Sequence, residues 1–252
     1  MRIAIGVLLS SCLALAACTT TETQPGAKAD LKEAARLNTQ LGIDYMRQGN
    51  FDLALEKLTR ALDQDDDFAP AHSAIALLYQ KRDEPKLARK HYKKALSLNE
   101  NDPGAMNNFA IFLCGQGEID DAEEIFLKAA KSKDNRSPAD SWTNAGVCVR
   151  HNPKKLDKAE DYLREAIRIN PRHENALAQM AAVCFERQDY LHSRAFLQRY
   201  EAIAKDTSQT LWIGAQNERK LGDIQSARMY ERRLKTEFPD SPETEALLNA
   251  KP

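Results

Sequence analysis

The strongest constraint on this chain is a spacing of 34 residues. Asn38, Leu41-Gly42, Tyr45, Ala54, Leu58 and Ala61 are followed 34 positions later by His72, Ile75-Ala76, Tyr79, Ala88, Tyr92 and Ala95. A second shift of 34 reaches Met106, Phe109-Ala110, Leu113, Ala122, Phe126 and Ala129. Within each unit the apolar positions fall three, four and seven apart, which is a helical period. A helical period nested in a longer one requires repeated helix pairs, each too small to bury its own apolar face and so stacked on its neighbours. The small residue in each helix admits a close partner, and the large ones fill the space between.

A period of 34 with two helices per unit is the signature of a tetratricopeptide repeat. The small residue of the second helix recurs at Ala54, Ala88, Ala122, Ala159, Ser193 and Ala227, with gaps of 34, 34, 37, 34 and 34. The odd gap comes from Ser137-Pro138 between units and from the long turn His151 to Lys155 inside unit four. Unit four carries Trp142, Ala145-Gly146 and Val149, and unit five, with Cys184 and Ser193, departs furthest from the pattern. Glycines at Gly49, Gly117 and Gly222 fall between first and second helices, where a positive φ stops a helix. Pro70, Pro103, Pro138 and Pro171 lie near unit boundaries, where proline opens a helix without losing a needed N–H. The expected fold is all-α: a right-handed superhelical solenoid of six helix pairs over residues 35–241. Residues 242–252 should form a short capping helix or fray.

The amino end reads differently. One basic residue precedes an apolar run from Ile3 to Ala17, too short to span a bilayer, so residues 1–17 are expected to be a signal peptide. The run ends Leu15-Ala16-Ala17-Cys18, which resembles a bacterial lipobox, where cleavage precedes a lipid-bearing cysteine. Leu9-Ser10-Ser11-Cys12 fits the same pattern, but cleavage there would leave an apolar stub on the mature end. Cys18 is therefore the expected lipidation site, with residues 18–34 as a solvated tether. Thr19, where an Asp is absent, resembles lipoproteins sorted to the outer membrane, on its periplasmic face. Each buried CH₂ of an acyl chain contributes roughly 0.8 kcal/mol, so two or three chains hold firmly in the bilayer.

Catalytic constellations are not evident. No Gly-x-Ser-x-Gly, His-Glu-x-x-His or phosphate-cradling glycine loop is present. Asp63-x-Asp65-x-Asp67 copies half of a calcium loop, but Phe68 and Ala74 stand where the turning glycine and the bidentate Glu belong. The net charge of −1 argues against a nucleic-acid partner. No enzyme activity, metal, cofactor or small-molecule substrate is expected. Cys114, Cys148 and Cys184 lie too far apart for a metal-binding pair. A Cys114–Cys148 disulfide is conceivable in an oxidising compartment. However, their places within their units differ by two, about 200° around a helix axis, so buried apolar thiols are the default. The five histidines read as polar-face residues.

First helices should line the inner surface of the curve. Their inner positions are Thr39, Ile43 and Met46; Ser73, Leu77 and Gln80; Asn107, Ile111 and Cys114; Thr143, Val147 and Arg150; Ala178, Ala182 and Phe185; Trp212, Gln216 and Arg219. The first three units supply an apolar line of Ile43, Met46, Leu77 and Ile111, suited to a partner helix or extended peptide unless these residues are core. A lysine and asparagine clamp for peptide carboxylates is not expected, because Asn175 and Gln179 stand where its cations would be.

Local stretches carry a more specific resemblance. Leu41-Gly42-Ile43-Asp44-Tyr45-Met46-Arg47-Gln48-Gly49-Asn50, Glu84-Pro85-Lys86-Leu87-Ala88 with Tyr92-Lys93-Lys94-Ala95-Leu96, and Asn107-Asn108-Phe109, behind a lipobox, resemble the PilF/PilW family of type IV pilus biogenesis lipoproteins, the pilotins. That resemblance implies an adaptor that brings secretin subunits to the outer membrane and promotes their assembly into the pilus ring, with the first repeats in contact with the secretin. Cys114-Gly115 and the long turn His151 to Lys155 depart from the pattern. The alternative client of such a lipoprotein is a β-barrel assembly or peptidoglycan synthesis complex.

Overall fold

The structure, a computed structural model, describes residues 25–249, with side chains from residue 30. Thirteen helices occupy them, and no strand is found among the described residues. They form six antiparallel pairs: α1 (Pro25–Arg47) with α2 (Phe51–Gln64), α3 (Ala69–Lys81) with α4 (Pro85–Leu98), and α5 (Pro103–Gly115) with α6 (Ile119–Lys131). The series continues with α7 (Pro138–Arg150) and α8 (Leu156–Ile169), α9 (Glu174–Glu186) and α10 (Tyr190–Glu201), and α11 (Ser208–Leu221) and α12 (Ile224–Glu237). Each first helix also touches the next first helix, and each second helix the next first helix. Such nearest-neighbour stacking makes a solenoid with its core spread along a line.

α13 (Pro242–Asn249) packs on α11 and α12 as though it were the first helix of a seventh pair. Leu247 adds to the apolar cluster of Leu211, Tyr230 and Leu234, so the carboxyl end of the stack is covered. At the other end α1 begins at Pro25, ten residues inside the expected tether. Ala27-Lys28-Ala29 and Lys32-Glu33-Ala34-Ala35 are strong helix formers, and their propensity extends the helix backwards from the packed part.

The turns repeat at atomic detail. Gly49, Gly117 and Gly222 have φ of 79°, 81° and 81°. Asp83 and Gln188 take the same place in units two and five with φ of 59° and 63°. In all five units the next N–H reaches back five residues, as from Asn50 to the Tyr45 carbonyl at 2.9 Å and from Asp189 to the Cys184 carbonyl at 2.8 Å. This double-bonded helix stop satisfies carbonyls that would otherwise be orphaned. Unit four replaces it with a 3₁₀ turn, Pro153–Lys155.

Close approach inside a pair is set by the small residues. A methyl on Gly42 would lie 2.5 Å from Leu58, and one on Gly146 2.8 Å from Leu163. Across the boundary of units three and four, Cys114 and Cys148 form a disulfide with Cα atoms 5.8 Å apart. The expectation of two reduced, packed thiols is corrected. Neighbouring parallel helices in a stack touch through opposite sides, so an angular offset near 180° brings two residues together instead of separating them. Asn144 Nδ2 donates to Asn107 Oδ1 at 3.1 Å across the same boundary.

The long turn of unit four also has a structural consequence. It carries Lys155 over Glu123 of α6, only 6 % exposed, whose carboxylate accepts from Lys155 Nζ at 2.6 Å, Lys158 Nζ at 2.7 Å and Tyr162 Oη at 2.6 Å. Burial alone would push this carboxyl up. The three donors outweigh it and hold the group down at about 2.

Candidate functional site

Two surfaces on the first helices stand out. The first is at the amino end. Leu37 and Leu41 occupy places that are buried in units two to five: Ala71, Ala105, Ser141 and Ala176 for the first, and Ile75, Phe109, Ala145 and Met180 for the second. In those units a preceding helix pair covers them. In unit one no helix pair precedes among the described residues, and Leu37 and Leu41 are 49 % and 47 % exposed. They sit one turn apart and form one apolar ridge.

The expected inner line falls on the same end but is only partly exposed. Ile111 is 41 % exposed, while Ile43 and Leu77 are half-buried against the core of the first two units. Met46 does not belong to an open groove: it is 5 % exposed and packs with Leu58, Ile75 and Leu78. It lies in the last turn of α1, where the helix leans on α3, so its side chain fills the seam between units. Periodicity alone cannot separate a seam position from a groove position, because both lie on the apolar side of the helix.

The second surface is a concavity of about 470 Å³ between α7, α9 and α11. Four inner positions expected from the sequence, Arg150, Ala178, Ala182 and Trp212, come together in it. Arg150 donates to Glu186 Oε1 from Nε at 2.9 Å and from Nη2 at 2.6 Å, and from Nη1 to Gln179 Oε1 at 2.7 Å. Gln179 Nε2 in turn donates to Asn175 Oδ1 at 3.4 Å.

The histidines are not all polar-face residues. His72 of α3 is 8 % exposed, and its Nδ1 lies 3.0 Å from Nδ1 of His91 on α4. Its Nε2 lies 3.0 Å from the Asp66 carbonyl in the α2–α3 loop. A carbonyl only accepts, so Nε2 of His72 carries hydrogen and Nδ1 of the neutral ring accepts from His91. Burial is the chief cause that brings His91 down to about 4. Among the described residues no three His, Cys, Asp or Glu side chains gather as metal ligands. Cys184 is buried and its thiol is pushed up to about 12, chiefly by desolvation. Cys18 and the leader lie outside the described residues, and no described helix is long and apolar enough to cross a membrane.

Stacked helix pairs with these turns define a tetratricopeptide repeat protein. The tetratricopeptide repeat family model matches residues 39–106 and 113–174, and a second model of the same repeat matches 81–141. The chain is 30 % identical over 245 residues to the type IV pilus assembly protein PilF of Pseudomonas aeruginosa, covering 96 % of this chain and 95 % of that protein. The solved structure from the functional characterisation of P. aeruginosa PilF is 26 % identical, with a TM-score of 0.77 over 88 % of this chain and 100 % of that one. The crystal structure of PilW, described as a widely conserved type IV pilus biogenesis factor, shares the fold, with a TM-score of 0.78 at 24 % identity over 85 % of this chain and 98 % of that one. The chain belongs to the PilF/PilW family of tetratricopeptide repeat proteins.

Proposed function

We propose that this chain is an adaptor in type IV pilus biogenesis: an outer-membrane lipoprotein, acylated at Cys18 and facing the periplasm, that binds secretin subunits and promotes their assembly into a ring. Its role makes and breaks no bond. The observation that carries the reading is the open end of unit one. Leu37 and Leu41 repeat a contact that is buried in the next four units, yet present it uncovered. An apolar ridge of this kind suits a partner element that adds to the stack as a further layer. Ile43, Leu77 and Ile111 lie on the separate inner face of the same units. The pilus assembly protein PilF, aligned over nearly the full length of both chains, supports the pathway. The Cys114–Cys148 disulfide supports an oxidising compartment such as the periplasm. A lipid anchor restricts adaptor and client to one surface, which raises their effective concentration there.

The test is co-purification from detergent-solubilised outer membranes with the acylated chain as bait. Secretin is expected with the native chain and not with Leu37→Asp/Leu41→Asp, both chains folded by circular dichroism. Capture of β-barrel assembly or peptidoglycan synthesis components without secretin would replace this reading with the alternative client.

A further inference from the structure

α4 is the second helix of unit two, so its exposed side faces away from the inner surface of the stack. We propose that this outer side is a docking surface for an acidic segment of a protein partner. It is independent of the secretin reading.

Three observations lead there. The first is a one-sided row of cations. Lys86, Lys90, Lys93 and Lys94 are all exposed, and α4 contains no acidic residue. At about 100° per residue the four lysines fall within one arc, directly opposite the buried Ala88, Tyr92 and Ala95. Lys94 donates to Asp67 Oδ1 at 2.8 Å. Among the described residues Lys86, Lys90 and Lys93 form no ion pair.

The second is that neighbouring units put the opposite charge at the same places. Where unit two has Lys86, units one, three and four have Asp52, Asp120 and Asp157. Where it has Lys90, they have Glu56, Glu124 and Asp161. An acid in the first turn suits the positive end of a helix, as in α2, α6 and α8, whereas Lys86 opposes it. Lys86 with Lys90, and Lys90 with Lys94, are like-charge pairs four residues apart, which also weaken a helix. The fold therefore gains nothing from these lysines. A local rule broken without compensation inside the molecule marks a position kept for function.

The third is the width of the row. It is a single helix wide, with Asp52, Glu56 and Asp63 exposed on α2 to one side and Asp120, Asp121 and Glu124 on α6 to the other. A flat anionic surface, such as a bilayer of acidic lipids, would bring those carboxylates within a Debye length of about 8–10 Å of its own charge. One acidic segment lying along α4 meets the lysines, and the acids on either side hold it to the row. Lys86, Lys90 and Lys94 follow one another about 6 Å apart along the axis. Carboxylates four apart on a helix repeat at the same distance, and alternate ones of an extended chain at about 6.7 Å.

The probe is a displayed library of random dodecapeptides, selected on the full purified chain. Enriched peptides are then synthesised with acetylated and amidated ends, and their affinity is measured by fluorescence anisotropy. The expected result is enrichment of sequences rich in Asp and Glu. Lys86→Asp/Lys90→Glu, which copies the residues of units one and three, should weaken their binding by about tenfold or more. The same variant should melt at the native temperature or above it. Lys220→Glu/Lys235→Glu, an equal change of charge in unit six, should leave binding unchanged. Failure to enrich acidic peptides, undiminished affinity in Lys86→Asp/Lys90→Glu, or equal loss in Lys220→Glu/Lys235→Glu would overturn the proposal. So would a lower melting temperature in Lys86→Asp/Lys90→Glu, which would give the lysines a structural role. Displacement of the peptide by phosphatidylglycerol vesicles, but not by phosphatidylcholine vesicles, would replace the acidic segment with a membrane and overturn it as well.

Discussion

Cys114 of α5 and Cys148 of α7 are covalently joined across the boundary between units three and four, 34 residues apart in sequence. A cross-link of this length removes unfolded-state entropy of about 3–4 kcal/mol in the chain-entropy account. Cys114→Ser/Cys148→Ser, or the native chain under reductant, is therefore expected to melt lower by several degrees. Differential scanning calorimetry with and without reductant checks this. Equal melting points would show that the link carries no stability, and the double variant should be insensitive to reductant.

Unit turns carry a second expectation. Gln188 and Asp83 are held at positive φ where three other units use glycine. A left-handed residue other than glycine costs about 1–2 kcal/mol, less for Asp. Gln188→Gly should stabilise the chain by about 1 kcal/mol and Asp83→Gly by less, while Gly117→Ala should destabilise it by about 1 kcal/mol. Denaturant midpoints at constant slope measure all three. Destabilisation by Gln188→Gly would mean that its side chain contributes more than the backbone strain.

Acid should act through the histidine pair. The His91 pKa in the folded chain is about 4, against 6.5 for the ordinary group. A depressed pKa favours the neutral form on folding, so its stabilisation is complete above pH 6.5 and fades as pH falls towards 4. Discounted for the partial exposure of His91, the loss is about 1–2 kcal/mol over that window. His91→Gln should flatten this limb. Glu123, held at about 2 against 4.5, adds a separate loss that begins only below pH 4.5, so the two are resolved by pH. Urea unfolding between pH 3 and 8 provides the curve; a native profile flat from 6.5 to 4.5 would contradict the role given to His91.

The parts of this molecule that repeat were legible in the sequence, and the parts that depend on breaking the repeat were not. Ala54, Ala88 and Ala122 announce the pairs because each slot meets the same neighbour. Leu41 sits in an identical slot, but only the position of unit one at the end of the stack turns it from core to surface. Met46 went the other way, since an apolar position at a helix end serves seam or groove depending on the lean of the next helix. The Cys114–Cys148 link is not visible from places within a unit, because contact between stacked helices joins opposite sides. Arg150, Ala178 and Trp212 were recognisable as inner positions. That they line one cavity, with Arg150 bound to Glu186, follows from how α7, α9 and α11 stack, which no spacing encodes.

The central claim is that the open end of unit one serves secretin assembly. Its most direct test is the secretin multimer itself, run unboiled on a gel from membranes of a strain lacking this gene and complemented with the native chain or with Leu37→Asp/Leu41→Asp. The account predicts multimers and surface pili with the native chain, and loss of both in the deletion strain and with the double variant at equal protein level. Secretin multimers at normal abundance in the uncomplemented strain would contradict it.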